Sequence, residues 1–377
     1  MKKKIIFVIE SLHLGGAEKS LVTLLNNLDY SRYCVDLLLF NKDGIFLEFV
    51  PDTVNIIFLN YPKLSFVKRV NFFIKRKTKI RFHHSQLYWD LIKYQFNELK
   101  CNYDYAVAYN QGFATYFTDQ YIKSKKKYAW INTDYIKAGY NIKFDYPIYC
   151  SFNKIVVVSL QAEINFLKAC STIKKKIPTV VINDIVDKEI LLKQANLVPK
   201  INFDKSKINI VSVGRLAKAK GFELSIGACE ILVRKGFAIN WYIVGEGSER
   251  QKLEQLCLGK GFVENIFFLG ADSNPYPYMK QADIYVQTSL FEGLGLTIIE
   301  ASYLNKPIVS TNYPTVYSIL KNEETGLIVE MNSNIIASNI ERIIIDGLLK
   351  NTLIENLKLV VNRDKEVTLK KVNDLFS

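Results

Sequence analysis

Short apolar runs rich in β-branched and aromatic residues alternate with longer amphipathic stretches along the whole chain. In the first half the runs fall at 5–10, 34–40, 54–59, 105–109, 128–132, 154–159 and 179–183. In the second half they fall at 208–214, 239–245, 265–270, 283–289, 307–311 and 326–330. Near-continuous apolar strands separated by helices predict parallel sheets covered on both faces. The first connecting helix is the clearest, because Leu21, Leu24, Leu25 and Leu28 recur at the spacing of one helix face. The alternation fades over 184–207 and restarts at Ile208. The chain therefore reads as two doubly wound α/β halves, 1–185 and 186–354, and the helical tail at about 355–377 is expected to pack back on the first. A length of 377 residues fits two domains better than one core. Two such halves predict a cleft at the carboxyl ends of the strands, where α/β folds bind ligands.

Composition narrows the class. Hydrophobic residues make up 49% and charged residues 23%, which is globular and argues against disorder. Lys and Arg total 50 against 37 acidic residues, a net +13, which points to an anionic partner: nucleic acid, a membrane surface or a phosphorylated ligand. The six cysteines are scattered with no C-x-x-C pair, so reduced thiols in a cytoplasmic protein are expected, not disulfides or a zinc site. The opening MKKKIIFVIES has an apolar run that stops at Glu10, too short for a signal peptide. No run approaches the roughly 18 apolar residues of a membrane span.

Four strand-to-helix turns carry candidate chemistry. In IESLHLGGAEKS, Gly15 and Gly16 precede a helix whose free N–H groups could meet an anion, with Glu18 in its first turn; a plain βα turn fits equally well. In VSVGRLAKAKG, Gly214 ends a strand and Arg215 and Lys220 follow, positioned to grip phosphate or simply to be solvated. In WYIVGEGSER, Gly245 and Gly247 form a turn that suits a base or ribose, or a tight turn with Ser248 as N-cap. In FEGLGLTIIE, the run Gly293, Leu294, Gly295, Leu296 and Thr297 can deliver backbone amides to a phosphate. Glu292 and Glu300 bracket it. Thr297 and Glu300 also match a capping box, so Glu300 is open to two readings.

Taken in order, G-R-L-x-K-x-K-G, V-G-x-G and E-G-x-G-L-x-x-x-E resemble the retaining, nucleotide-sugar-dependent glycosyltransferases of the GT-B fold, family 4 or "group 1". GGAEKS, AWINTDY, KPIVST and TGLIV extend the resemblance along the chain. It implies two Rossmann-like domains, the first facing the acceptor and the second holding the nucleotide sugar. It implies that Arg215 and Lys220 bind the donor diphosphate and that Glu292 lies near the donor sugar. Glu300 would hold the ribose, the amides from Gly293 to Thr297 would contact sugar and phosphate, and Gly15 and Gly16 would face the diphosphate. Gly214, Gly245 and Gly247 would line the nucleotide. Asn183 looks like the family's asparagine at the start of the interdomain segment, a structural part. One departure stands out: the family often has W-I-H-x-D where this chain has Trp130-Ile131-Asn132-Thr133-Asp134. Asn132 can hydrogen-bond a sugar but cannot act as acid or base at neutral pH. Asp134 is open between acceptor contact and loop cap.

The stretch 63–84 holds Lys63, Lys68, Arg69, Lys75, Arg76, Lys77, Lys79 and Arg81, interleaved with Phe66, Val67, Val70, Phe73 and Ile74 and free of acids. Basic residues around an aromatic face suit an anionic bilayer. A solvated face and nucleic-acid binding are the alternatives, and no nucleic-acid motif accompanies the stretch. The cationic run at 123–127 adds charge to the same half. The expectation is a cytoplasmic enzyme on the inner face of the membrane. It moves a sugar from a nucleotide sugar, with UDP as the expected carrier, to a glycan or lipid-diphosphate-linked acceptor in surface-polysaccharide assembly, without a metal or other cofactor. A nucleotide-sugar epimerase, a phosphorylase-like enzyme and a non-catalytic nucleotide-binding subunit are the alternatives.

Overall fold

The computed structural model describes residues 2–62, 64–78, 82–259, 263–360 and 365–377. The chain divides into two compact units, Met1–Ile185 with Glu366–Ser377, and Val186–Lys365. The first unit contains β1 (Lys3–Val8), α1 (Gly16–Asn26), β2 (Tyr33–Leu39), β3 (Asn55–Phe58), α2 (Phe66–Thr78) and α3 (His84–Ile92). It continues through β4 (Asn102–Ala108), α4 (Phe113–Tyr121), β5 (Lys123–Ile131), α5 (Ile142–Tyr149), β6 (Lys154–Val157), α6 (Leu160–Ser171) and β7 (Thr179–Val181). The second contains α7 (Lys188–Ala195), β8 (Ile208–Val213), α8 (Phe222–Arg234), β9 (Ile239–Val244), α9 (Arg250–Leu258) and β10 (Ile266–Gly270). After these come α10 (Tyr276–Gln281), β11 (Ile284–Gln287), α11 (Leu296–Tyr303), β12 (Ile308–Thr311), β13 (Leu327–Val329), α12 (Ser333–Ile345) and α13 (Gly347–Val360). The last helix, α14 (Lys365–Leu375), leads back to the first unit.

Both sheets are parallel throughout, in the orders β3-β2-β1-β4-β5-β6-β7 and β10-β9-β8-β11-β12-β13. Strands covered on both faces have no polar side, which is why β1 ends in four buried residues and β9 is buried along its length. Leu21, Leu24, Leu25 and Leu28 of the first connection are all buried, although α1 itself ends at Asn26.

Three stretches differ from the periodic pattern. The faded segment 184–207 contains α7, started by the Asp187 side chain, which accepts from the Ile190 amide. The tail from 355 is divided: α13 belongs to the second unit, with Leu353 and Leu357 in its interior. Only the end of the chain joins the first, where Phe376 meets Phe7 and Tyr33 edge-on and the Tyr128 hydroxyl donates to the Leu375 carbonyl at 2.6 Å. The cationic run 123–127 is the start of β5, not a free patch. Lys123 pairs with Glu98, Lys125 pairs with Asp104, and Lys126 and Lys127 donate to the Ser377 and Asp119 carbonyls.

α2 is the reverse case. It rests on α3 through Lys75–Asp90 at 2.8 Å, a Lys68 bond to the Leu91 carbonyl and an edge contact of Phe72 with Tyr88. Phe66, Val67, Val70, Phe73 and Ile74 all face solvent, Phe66 at 80% exposure, beside the exposed Arg69, Arg76 and Lys77. Lys63, Lys79 and Arg81 lie outside the described residues. Among the described residues, no helix is long and apolar enough to cross a membrane.

Candidate active site

Each sheet reverses its winding once. In the second sheet the reversal lies between β8 and β11, and the loops leaving those two strands carry most of the charged candidates. Gly214 and Arg215 follow β8, with the Arg215 side chain exposed. Lys220 closes a 3₁₀ turn, and its stem lies across Gly214, where an added Cβ would stand 3.3 Å from the lysine Cε. Its Nζ is 2.5 Å from Glu292 Oε1. The same carboxylate oxygen accepts from Ser289 Oγ at 2.6 Å and Gln287 Nε2 at 3.0 Å. Gln287 is the hub of this cluster. Its Nε2 also reaches the Tyr313 hydroxyl at 3.2 Å, while its Oε1 receives Thr297 Oγ1 at 2.7 Å and the Tyr285 hydroxyl at 3.2 Å. Donors on one end of the amide and acceptors on the other fix its orientation, so Glu292, Lys220 and Thr297 are held by one connected network.

α11 begins immediately beyond. Gly295 caps it in the left-handed region (φ 91°, ψ 51°), and a Cβ there would come within 2.7 Å of the Tyr313 hydroxyl, so the turn requires glycine. No side chain caps this helix, which leaves the positive end of its dipole open to an anion. Thr297 is the second residue of the helix and bonds Gln287, so the capping box with Glu300 does not form. Glu300 is instead buried at 1% exposure, with Oε1 accepting from the Tyr276 hydroxyl of α10 at 3.2 Å. Leu294 is buried, and Leu296 opens the helix.

The turn after β9 brings Gly245 so close to Gly214 that a Cβ would overlap the Gly214 carbonyl oxygen, and the Gly245 amide donates to Gly270 at 2.8 Å. Gly247 is followed by an exposed Ser248 that caps nothing; the residue before α9 is Glu249, and Glu246 pairs with Arg250.

In the first unit, Gly15 caps α1 with extended backbone (φ −174°) that any residue adopts, and Gly16 is the first helical residue. No side chain caps α1 either. Asn132, just past β5, donates Nδ2 to the Tyr109 carbonyl at 2.7 Å, and its amide reaches Gln111 Oε1 at 2.9 Å. Its Oδ1 is buried with no partner among the described residues. Asp134 is 3% exposed and builds the turn: Oδ1 accepts from the Ile136 and Lys137 amides and Oδ2 from Asn165. Asn183 donates to the Val158 carbonyl at 2.8 Å.

The motifs pointed to Lys220, Glu292, Thr297 and Glu300 but missed Gln287, Ser289, Tyr276 and Tyr313. Gln287 did carry a signal: it is a polar residue inside an otherwise apolar strand. Among the described residues, no group of three or more His, Cys, Asp or Glu is placed to hold a metal ion.

Two parallel, doubly wound sheets, each with one winding reversal, define the GT-B fold. Solved structures agree over the whole chain. The Anabaena protein Alr3699/HepE in complex with UDP and glucose superimposes with a TM-score of 0.73 at 17% identity, over 99% of both chains. The profile of the family "Glycosyl transferases group 1" matches residues 193–360, which lie within the second unit. It is similar to the O-antigen biosynthesis glycosyltransferase WclY of Escherichia coli, 29% identical over 44% of this chain and 45% of that one. It is also similar to a poly(ribitol-phosphate) alpha-N-acetylglucosaminyltransferase of Staphylococcus aureus, 29% identical over 39% of this chain and 30% of that one. The chain thus spans less than half the length of these curated relatives.

Proposed function

We propose that this protein transfers a sugar, with retention, from a nucleotide sugar to a glycan acceptor in the assembly of a surface polysaccharide. The observation that carries the reading is the Lys220–Glu292 pair, set at the winding reversal of the second sheet beside an uncapped helix start. As the anomeric C–O bond breaks, negative charge grows on the departing diphosphate. Lys220, Arg215 and the first amides of α11 are fixed donors for that charge, and preorganised donors need no reorganisation as the reaction proceeds. Glu292, held by Ser289 and Gln287, keeps Lys220 in place and has its second oxygen for a sugar hydroxyl. Glu300 takes the ribose, and Gly245 and Gly247 leave room for the nucleoside. Asn132, on the first unit, offers a hydrogen bond to a sugar hydroxyl without acting as acid or base. The names of the similar proteins support UDP as the carrier and an O-antigen or poly(ribitol-phosphate) type of product.

The cationic groups do the work that a metal does in other transferases, so the reaction is proposed to proceed without one. α2 is proposed to rest on an anionic membrane: its exposed Phe66, Val67, Val70, Phe73 and Ile74 enter the interface while Arg69, Arg76 and Lys77 meet the headgroups. A lipid-diphosphate-linked acceptor would be presented at that surface.

The test is release of UDP, GDP or ADP from a panel of nucleotide sugars with lipid-linked acceptors, in EDTA, followed by NMR of the product linkage. Acceptor-dependent release with retention is expected. Epimerisation without acceptor, a strict need for Mg²⁺ or Mn²⁺, or an inverted product would each contradict the reading.

A further inference from the structure

The first sheet reverses its winding between β1 and β4, and Glu10 stands at that point. The crevice outside such a reversal is where α/β sheets take ligands. Glu10 leaves β1, Asn110 and Gln111 leave β4, and Asn132 leaves β5, so four polar side chains gather at three neighbouring strand ends. The backbone of Glu10 is fixed, because the Phe40 and Asn41 amides donate to its carbonyl at 3.0 and 3.1 Å. Its part-buried carboxylate has its own backbone amide as a donor, and its contacts beyond that are long. Asn110 Nδ2 and the Ala114 amide at the start of α4 each lie 3.4 Å away, at the outer limit of hydrogen bonding. Nearby, Asn132 Oδ1 has no partner among the described residues, and Gln111 receives the Asn132 amide.

We propose that Glu10, with Asn110 and Gln111, forms a carbohydrate subsite in the first unit that binds hydroxyl groups of a neutral sugar. The inference rests on the glycosyltransferase reading and names the chemistry of the acceptor end that enters the first unit. A sugar hydroxyl both donates and accepts. A carboxylate takes its proton side and an amide group serves its lone pairs. Glu18 faces Glu10 with a second negative charge, so a phosphate group here would be repelled by both. The ring of Tyr61, about one-third exposed and packed on Phe113, offers a face for sugar C–H groups.

Burial pushes the Glu10 carboxyl up to about 7; its own backbone amide opposes the rise most, the Glu18 charge adds to it, and the Ala114 and Asn110 donors oppose it further. Among the described residues, Glu18, Tyr61 and Tyr140 are the titratable groups that face it. The ionised form is the better acceptor of hydroxyl protons. Sugar binding therefore strengthens as pH rises through about 7.

The experiment is saturation-transfer NMR on the full chain with UDP present. The probes are the methyl α-glycosides of glucose, galactose, mannose and N-acetylglucosamine, compared across wild type, Glu10→Gln and Glu10→Ala. At least one probe is expected to bind wild type and to tighten about tenfold between pH 6 and pH 8. Glu10→Ala should lose at least about tenfold in affinity, as for a lost charge-assisted hydrogen bond. Glu10→Gln should flatten the pH profile while UDP binding stays the same in both variants. Melting curves show whether Glu10→Ala is folded, and the isosteric Gln variant carries the test if it is not. Equal affinity across the three proteins, a pH profile that survives in Glu10→Gln, or no probe binding to wild type overturns the subsite. Absence of UDP binding by the wild type strikes the glycosyltransferase reading instead.

Discussion

Replacing Lys220 by methionine removes the ammonium while keeping a stem that can lie across Gly214. The lost charge is one of a pair 2.5 Å apart whose side chains are 23% and 14% exposed. Exposed pairs contribute about 0–1 kcal/mol, and breaking a fully buried one costs about 3–5 kcal/mol. This pair lies between those limits, so the variant should lose about 2 kcal/mol of stability. In a unit of this size that lowers the melting temperature by about 4–8 °C. Part of the loss is softened because Ser289 and Gln287 still donate to Glu292. The catalytic loss should be larger. A fixed donor aimed at developing charge is worth about 10²–10³ in kcat. Nucleotide release at saturating donor gives the rate, and calorimetry gives the stability. A near-wild-type rate with the expected drop in melting temperature would refute the leaving-group role and leave a structural ion pair. Adding Glu292→Gln in a double-mutant cycle isolates the pair, since contacting residues couple.

Three further outcomes are expected. Glu10 has its folded-state value raised from 4.5 to about 7, so the native state holds the proton more tightly and stability is lost as pH rises through that window. Glu10→Gln removes the loss, and at pH 8 it should be more stable than wild type by about 1 kcal/mol, allowing for the partial exposure of the side chain; melting curves that stay parallel from pH 5 to pH 8 would contradict this. Glu300→Gln keeps an acceptor for Tyr276, so nucleotide affinity should fall by about 10–100-fold with little change in melting temperature; a stability loss with intact affinity would remove Glu300 from the ribose. Phe66→Ser with Phe73→Ser should change stability by less than about 0.5 kcal/mol, because both are exposed. The same double variant should abolish sedimentation with anionic phospholipid vesicles, and undiminished sedimentation would take α2 off the membrane.

The strands were legible because each is apolar along its length, a pattern that only a doubly covered parallel sheet produces. The four lysines opening β5 were not, since their strand geometry comes from pairing with β4. Glu98, Asp104 and two carbonyls then take their charges. α7 was hidden for a related reason: of its eight residues only Leu191 and Ala195 are buried, too few for a period to register. At the site, the spacing of Arg215, Lys220, Glu292 and Glu300 was visible as motif. The Gln287 hub was not, because its partners Glu292 in the loop after β11, Thr297 in the first turn of α11 and Tyr313 after β12 meet only once β11 lies between β8 and β12. The capping box read at Thr297 and Glu300 fails on a single backbone position. Gly295, not Thr297, is the N-cap of α11.

Diphosphate binding by Arg215 and Lys220 is tested most directly by a calorimetric titration of UDP, GDP and ADP, each beside its parent nucleoside, into wild type and into the Arg215→Met, Lys220→Met double variant, all in EDTA. One nucleoside diphosphate is expected to bind wild type at least about 10²-fold more tightly than its nucleoside, the worth of one or two charge-assisted hydrogen bonds. The double variant is expected to lose most of that margin. Equal affinity for diphosphate and nucleoside, or a margin that the double variant keeps, would contradict a diphosphate site at Arg215 and Lys220.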